Sequence, residues 1–252
     1  MAEGRGAVQL NTFSIVARCA RTGRLGGAVS TAIPAVGAIC PHVQAAAGAV
    51  ASQSWANPYL ALDALPLLAA GMAAGAALDQ VIAGDAGRGW RQVGVVDAAG
   101  GAAAWTGADC TPWCGHRTGP GYAVQGNMLT GEAVVAGMEA AFLCSEGEGL
   151  AERLMRALEA GQAAGGDKRG KQSAALKVHE REAYPWLDLR VDEHPAPVAE
   201  LRRVLGIAML QLRPFMDSMP TREGATAAAP GAARSVLALP PPQRPGGGGS
   251  GP

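Results

Sequence analysis

The stretch LNTFSIVARCARTGRLGGAVST, Leu10–Thr31, decides how the rest of the chain is read. TFSIVARC alternates and is rich in β-formers, RTGR supplies a turn, and LGGAVSTAI returns as a second extended run. Two such runs joined by a short Gly-containing turn predict a β-hairpin. The hairpin opens on Thr12, and Thr12 has two readings. It is a strand residue by its β-branched shape. Alternatively it is the first residue of a processed chain, with its hydroxyl as nucleophile. A threonine hydroxyl needs a base, and a free α-amine on the same residue, titrating near about 7.7–8.0, supplies one.

Outward from the hairpin, VGAICPHVQAAAGAVASQS predicts two short strands, near His42 and near Val50. Asn57-Pro58 opens a helix. Leu60, Leu65, Leu68, Met72, Ala76 and Val81 recur at helical spacing over 59–83, where Gly71 and Gly75 are expected to admit a close neighbour. RQVGVVDAAGGAAAWTG predicts a second hairpin, turning at Asp97–Gly101. HRTGPGYAVQGNML reads as a Gly-punctuated loop around a short strand. Helices are expected from Thr130 or Gly131 to about Phe142, and from about Gly149 to Gly161. Strands follow near Ala174–Val178 and in YPWLDLRVDEH, and Pro197 opens a closing helix at a position where its missing N–H costs nothing. Hairpins beside blocks of helices predict an α+β class, a layered αββα plan with mostly antiparallel sheets, and exclude a βαβ alternation. The expected organisation is a leader at 1–11, a domain at 12–212, and a disordered Ala/Gly/Pro-rich tail at 221–252.

Lys+Arg number 21 against Asp+Glu 21, a balance that argues against a nucleic-acid surface. Apolar residues make up 48% and aromatics 4%, so the core must be built from Ala, Val, Leu and Ile. The longest apolar stretch, from Leu60 to Gly84, contains Asp63, Pro66 and Asp79 and predicts a buried helix, not a membrane span. MAEGRGAVQL lacks an apolar signal region and carries Glu3. Cys19, Cys40, Cys110, Cys114 and Cys144 are odd in number and irregular in spacing, which points to a reducing cytoplasm.

No phosphate loop, dinucleotide fingerprint, H-E-x-x-H or G-x-S-x-G occurs, and no cofactor is expected. Cys110, Cys114 and His116 form a C-x3-C-x-H cluster without a fourth ligand. It is a loop with two incidental thiols and His116 in a pocket, or a zinc site. Asn57, Gln125 and Asn127 are amides within apolar or Gly-rich segments. Such amides serve turns and core hydrogen bonding, or bind substrate and an oxyanion. Asp167 and Arg169, in GGDKRGKQS, form a solvated turn or a charged rim that holds a carboxylate. Ser14 and Ser30 lie near Thr12 in a hairpin arrangement.

Seven segments together resemble one bacterial family: NTFSIVAR, GAVSTAIPAVGAICPHV, GAVASQSWANP, RQVGVVDAAGGAAAWTG, CTPWCGHRTGPGYAVQGNML, GGDKRGKQSAAL and LRVDEHPAPVAELRRVL. The family is the domain of unknown function number 1028, and the resemblance runs from about Thr12 to about Gly206. The family is similar in fold to the N-terminal-nucleophile (Ntn) hydrolases, αββα sandwiches that cleave amide bonds. The resemblance implies an Ntn-like fold with Thr12 at the nucleophile position. Relatives often begin almost at this Thr, whereas this sequence carries residues 1–11 ahead of it, so the nucleophile requires cleavage between Asn11 and Thr12. Relatives also commonly have an Asp where Cys19 stands and a Gly near Leu60.

The expected function is hydrolysis of a linear C–N bond in a small molecule. Thr12 attacks, Asn127 or a backbone N–H pair stabilises the oxyanion, Ser14 and Ser30 assist, and Arg169 or His116 reads the substrate. The alternative is a non-catalytic binding or assembly module with Thr12 unprocessed, and a third reading is a metal-assisted enzyme using Cys110, Cys114 and His116. A homo-oligomer, a dimer by preference, is expected through the apolar helices, with no nucleic-acid or membrane partner.

Overall fold

The hairpin at the start of the chain is the centre of a sheet. The computed structural model describes residues 9–10, 12–224 and 231–251, which contain seven α-helices and antiparallel sheets. β2 (Thr12–Arg18) pairs with β3 (Leu25–Thr31) in a register that sets Thr12 opposite Thr31 and Phe13 opposite Ser30. β2 then takes β9 (Tyr122–Asn127) on its other edge, with Thr12 opposite Asn127. β8 (Gly115–Gly119), β10 (Ser173–His179) and β11 (Leu187–Val191) complete a six-stranded sheet in the order β11-β10-β3-β2-β9-β8. A five-stranded sheet holds β1 (Gln9–Leu10), β4 (His42–Gln44), β5 (Gly48–Trp55), β6 (Arg91–Asp97) and β7 (Ala102–Thr106).

Period-two alternation sends successive side chains of each strand to opposite faces. On the five-stranded sheet, Val50, Val93 and Val95 pack against Leu60, Ala64, Leu68, Ala77 and Leu78 of α1 (Pro58–Ala69) and α2 (Ala74–Ala83). On the six-stranded sheet, Phe13 of β2 and Gly26 of β3 meet α4 (Leu150–Ala163), and Tyr122 of β9 stacks on Phe142 of α3 (Ala133–Cys144). The remaining faces of the two sheets meet each other through Val16, Val29, Ala49, Ala51, Val96 and Ala123. These small side chains let the sheets approach, as the aromatic-poor composition requires.

Residues Met1–Val198 form one unit and Ala199–Pro252 a second. α5 (Pro197–Gln211) begins at the end of the first. The second holds α6 (Arg213–Met216) and α7 (Gly231–Leu237), and Gln211 Nε2 donates to the carbonyls of Pro245 and Gly247 at 3.0 and 2.7 Å. The stretch from 221 that composition assigns to disorder therefore contains a short helix among its described residues. No described helix is long and apolar enough to cross a membrane.

Two expectations change. The helix anticipated over 59–83 is two helices, because Gly71 takes φ +88°, the left-handed C-terminal conformation that stops α1. A Cβ on Gly71 or Gly75 would meet nothing within 4 Å, so neither glycine marks a close approach. The Gly-punctuated loop around a short strand is a hairpin, β8–β9, turned by Gly121 at φ +76°. Asp97 at the β6–β7 turn accepts from the amides of Ala99 and Gly101 and also from Ala74 at the start of α2, so one carboxylate fixes two elements.

A buried amide cluster as the candidate active site

At the Thr12 end, the layer between the sheets turns from apolar to polar. Thr12, Ser14, Thr31, Gln53, Gln92, Gln125 and Asn127 are all fully buried. The direction of their hydrogen bonds follows from two backbone carbonyls. Gln92 Nε2 lies 3.1 Å from the carbonyl of Gly115 and 2.8 Å from that of Gly126, so this atom must be the NH2 group. Gln92 Oε1 then accepts, from Gln53 Nε2 at 2.8 Å and Asn127 Nδ2 at 3.0 Å. Gln53 Nε2 also donates to the Thr12 carbonyl at 3.2 Å, and Gln53 Oε1 accepts from Ser14 Oγ at 2.6 Å. Ser14 Oγ in turn accepts from Gln125 Nε2 at 2.6 Å. Thr12 Oγ1 lies 3.3 Å from Thr31 Oγ1.

Two acceptors in this cluster, Gln125 Oε1 and Asn127 Oδ1, are buried with no partner. Buried polar atoms are rarely left so, and each such atom asks for a ligand or water. Two non-glycine residues with left-handed backbone flank the cluster: Ser54 (φ +68°) follows Gln53, and Met128 (φ +52°) follows Asn127. Strain of this kind concentrates at functional sites.

The other anticipated residues divide. Ser14, Gln125 and Asn127 are brought to Thr12. His116 joins at the rim: its Nδ1 lies 2.8 Å from Thr106 Oγ1, which accepts from Gln92 Nε2 at 3.0 Å. Desolvation pulls the His116 imidazole below its ordinary pKa, which favours the neutral ring at pH 7. Asp167 and Arg169 lie at the same end of the sheet. Asp167 Oδ2 accepts from the Ala32 amide, one residue beyond Thr31, and from Arg169 Nη2 at 3.0 Å. Ser30 is not beside Thr12. It is on the opposite face of β3, where its hydroxyl donates to the Ser173 carbonyl at 3.2 Å, and Thr31 takes the place the hairpin reading gave it.

Asn57 is also elsewhere. Its Oδ1 accepts from the Tyr59 amide as the N-cap of α1 and its Nδ2 donates to Asp85 at 3.2 Å. It lines a cleft of about 360 Å³ with Leu60 of α1 and Val81 of α2, on the far face of the five-stranded sheet from Thr12. Cys110 Sγ donates to the Arg91 carbonyl and Cys114 Sγ to the Cys110 carbonyl, while His116 turns to Thr106. Among the described residues no group of three or more His, Cys, Asp or Glu is placed to hold a metal ion.

Gln53, Gln92, Thr31 and Thr106 are the members that sequence reading misses. The available signal is an amide inside an otherwise apolar strand, Gln53 in GAVASQSW and Gln92 in RQVGVVD.

Residues 12–201 match a family model described as a family of unknown function, DUF1028. The chain is similar to a solved structure, protein SPO2555 from Silicibacter pomeroyi, also ascribed to DUF1028. The two are 31% identical with a TM-score of 0.78, over 85% of this chain and 97% of that one. No curated protein matches the chain. The matched span takes in β2, β9, the amide cluster and the Asp167 loop, and the chain belongs to the DUF1028 family.

Proposed function

We propose that the chain is an amide-bond hydrolase of the N-terminal-nucleophile kind, a four-layer αββα sandwich in which Thr12 attacks. The packing of α1 and α2 on one sheet, α3 and α4 on the other, and the sheets on each other supports that architecture. The observation that carries the chemistry is the place of Thr12. Leu10 pairs with Ser54 in one sheet and Thr12 pairs with Thr31 and Asn127 in the other, so the chain changes sheets between Leu10 and Thr12, the interval that contains the bond to be cut.

The cluster around Thr12 contains no acidic or basic side chain among the described residues, apart from His116 at the rim. A Thr hydroxyl without a base is inert, so the base is the Thr12 amine itself, released by hydrolysis of the Asn11–Thr12 bond. That amine takes the proton from Oγ1 as Oγ1 bonds to the substrate carbonyl carbon. One N–H of Asn127 Nδ2 is held by Gln92 and the second is left for the oxyanion. The C–N bond breaks, the leaving amine takes the proton, and water then hydrolyses the Thr12 ester to release the acid.

A non-catalytic module is the second reading. It draws on the complete burial of Thr12 in the uncut chain. Intact mass and activity separate the two. The hydrolase reading expects a mature chain that begins at Thr12 and hydrolyses small amides, with Thr12→Ala full-length and inactive. A full-length chain that hydrolyses amides, or an active Thr12→Ala, overturns it.

A further inference from the structure

We infer that the edge of β5 occupied by β1 is a strand-addition site, and that the substrate is a linear peptide or peptide-like acyl amide. The inference rests on the reading of Thr12 as the nucleophile. It goes beyond that reading by assigning the recognition to backbone pairing on the acyl side of the scissile bond.

Gln9 lies opposite Trp55 and Leu10 opposite Ser54, antiparallel, and a single residue separates this pair from Thr12. β4 covers the same edge of β5 farther along, at Gly48–Val50, so Ser54 and Trp55 owe their described edge partner to β1. An uncovered edge presents N–H and C=O groups that demand partners. When the Asn11–Thr12 bond is hydrolysed, the two residue pairs hold the leader reversibly, so the edge becomes open to exchange with a free chain.

The leader is then a record of how an acyl group reaches Thr12. Before cleavage the chain that leads to the Thr12 nitrogen lies on β5 at Gln9–Leu10. A substrate whose carbonyl must reach Thr12 Oγ1 can take the same path, with two residues paired to Ser54 and Trp55 and a third carrying the scissile carbonyl. At about 3.3 Å per residue this needs an acyl segment of about 10 Å. A single acyl unit falls short of the pairing. The orphan acceptor Asn127 Oδ1 belongs to the register partner of Thr12, the residue at which such a chain ends.

The test uses the processed wild-type protein and a synthetic hexapeptide acid copying residues 6–11, GAVQLN. The hexapeptide is made plain, N-methylated at the Gln9 position, and N-methylated at the Leu10 position. In an antiparallel pair, adjacent residues alternate between donating to the partner and pointing away. One of the two methylations should therefore weaken binding at least tenfold while the other changes it less than threefold. The full-length Thr12→Ala chain, whose own leader fills the edge, should not bind the peptide. Binding with that alternation supports the inference even if no amide is hydrolysed, in which case only the chemistry assigned to Thr12 fails. Amide hydrolysis without peptide binding, or equal binding by all three peptides, overturns strand addition and leaves the Thr12 reading standing. A chain that stays uncut overturns both, because the edge is never vacated.

Discussion

Gln92→Met removes the hub of the amide cluster at nearly constant side-chain volume. Gln92 accepts from Gln53 and Asn127 and donates to Thr106 and the carbonyls of Gly115 and Gly126. The thioether leaves Asn127 Nδ2 with no acceptor and leaves Gln53 Nε2 with only the Thr12 carbonyl. Each orphaned buried donor costs about 1–3 kcal/mol, so the two together cost about 2–6 kcal/mol. The carbonyls of Gly115 and Gly126 each lose a side-chain donor and add to the upper end. A mid-range loss of about 4 kcal/mol lowers the melting temperature by roughly 8–16 °C in a domain of this size. Urea unfolding of wild type and variant, followed by circular dichroism, reads the loss directly as a shift in midpoint at constant slope. A loss below about 1 kcal/mol would refute the reasoning, because it would mean that water already reaches these groups and the cluster is not a dry, preorganised site.

Gly94→Ala drives a Cβ into the Gln125 amide, which lies flat on Gly94 across the two sheets. It should destabilise by about 1–3 kcal/mol, and Gly94→Ala with Gln125→Ala should recover part of that in a double-mutant cycle. Asp85 is partly desolvated, which raises its pKa, but Arg91, the Gly87 amide and Asn57 outweigh this and hold it below the ordinary carboxylate value. Its contribution to stability is present above about pH 4 and is lost as pH falls through the folded value, so Asp85→Asn should flatten the acid limb of a stability–pH curve. Burial pushes the Cys40 thiol up to about 12, whereas Cys144 is exposed. A thiol reagent on native protein at pH 8 should label Cys144 first, and Cys40 only after denaturant is added. His116→Asn should leave the pH midpoint of the acidic limb of kcat/KM unchanged, since the base is assigned to Thr12; a moved midpoint would transfer that role to His116.

Much of the fold was legible because its elements carry their own punctuation. Thr12–Arg18 and Leu25–Thr31 alternate on either side of a Gly turn, and Asn57-Pro58 caps α1 as its sequence requires. The β8–β9 hairpin was hidden because it holds four glycines, Gly115, Gly119 and Gly126 in its strands and Gly121 at the turn, which reads as loop chemistry. The grouping of Thr12, Ser14, Gln125 and Asn127 in the candidate site was legible, and Ser30 was placed beside Thr12 wrongly for a reason of register. The short turn at 19–24 fixes Arg18 opposite Leu25, and counting back from that pair sets Phe13, not Thr12, against Ser30. A one-residue offset carries a side chain to the other face of the sheet. Gln53 and Gln92 were missed because β5 and β6 are buried on both faces. The amide in each strand then looks like a surface residue, although it points at the opposing sheet.

Among its described residues the amide cluster carries no charged side chain, and this constrains what Thr12 can do more tightly than its position does. Ser14, Gln53, Gln92, Gln125 and Asn127 form a fixed set of dipoles whose orientation is anchored in the carbonyls of Gly115 and Gly126. Amide side chains orient and stabilise; they do not take protons at neutral pH. In the uncut chain the Thr12 nitrogen is itself an amide, so the site holds a hydroxyl and hydrogen-bond donors for an oxyanion, and its one proton acceptor among the described residues is the His116 imidazole at the rim. Cleavage of that one peptide bond turns the Thr12 nitrogen from an amide into an amine and leaves the leader ending in a carboxylate. Under the Thr12 reading, activity is therefore coupled all-or-none to that cut, and the same event that creates the base also frees the β5 edge on which the acyl chain would lie.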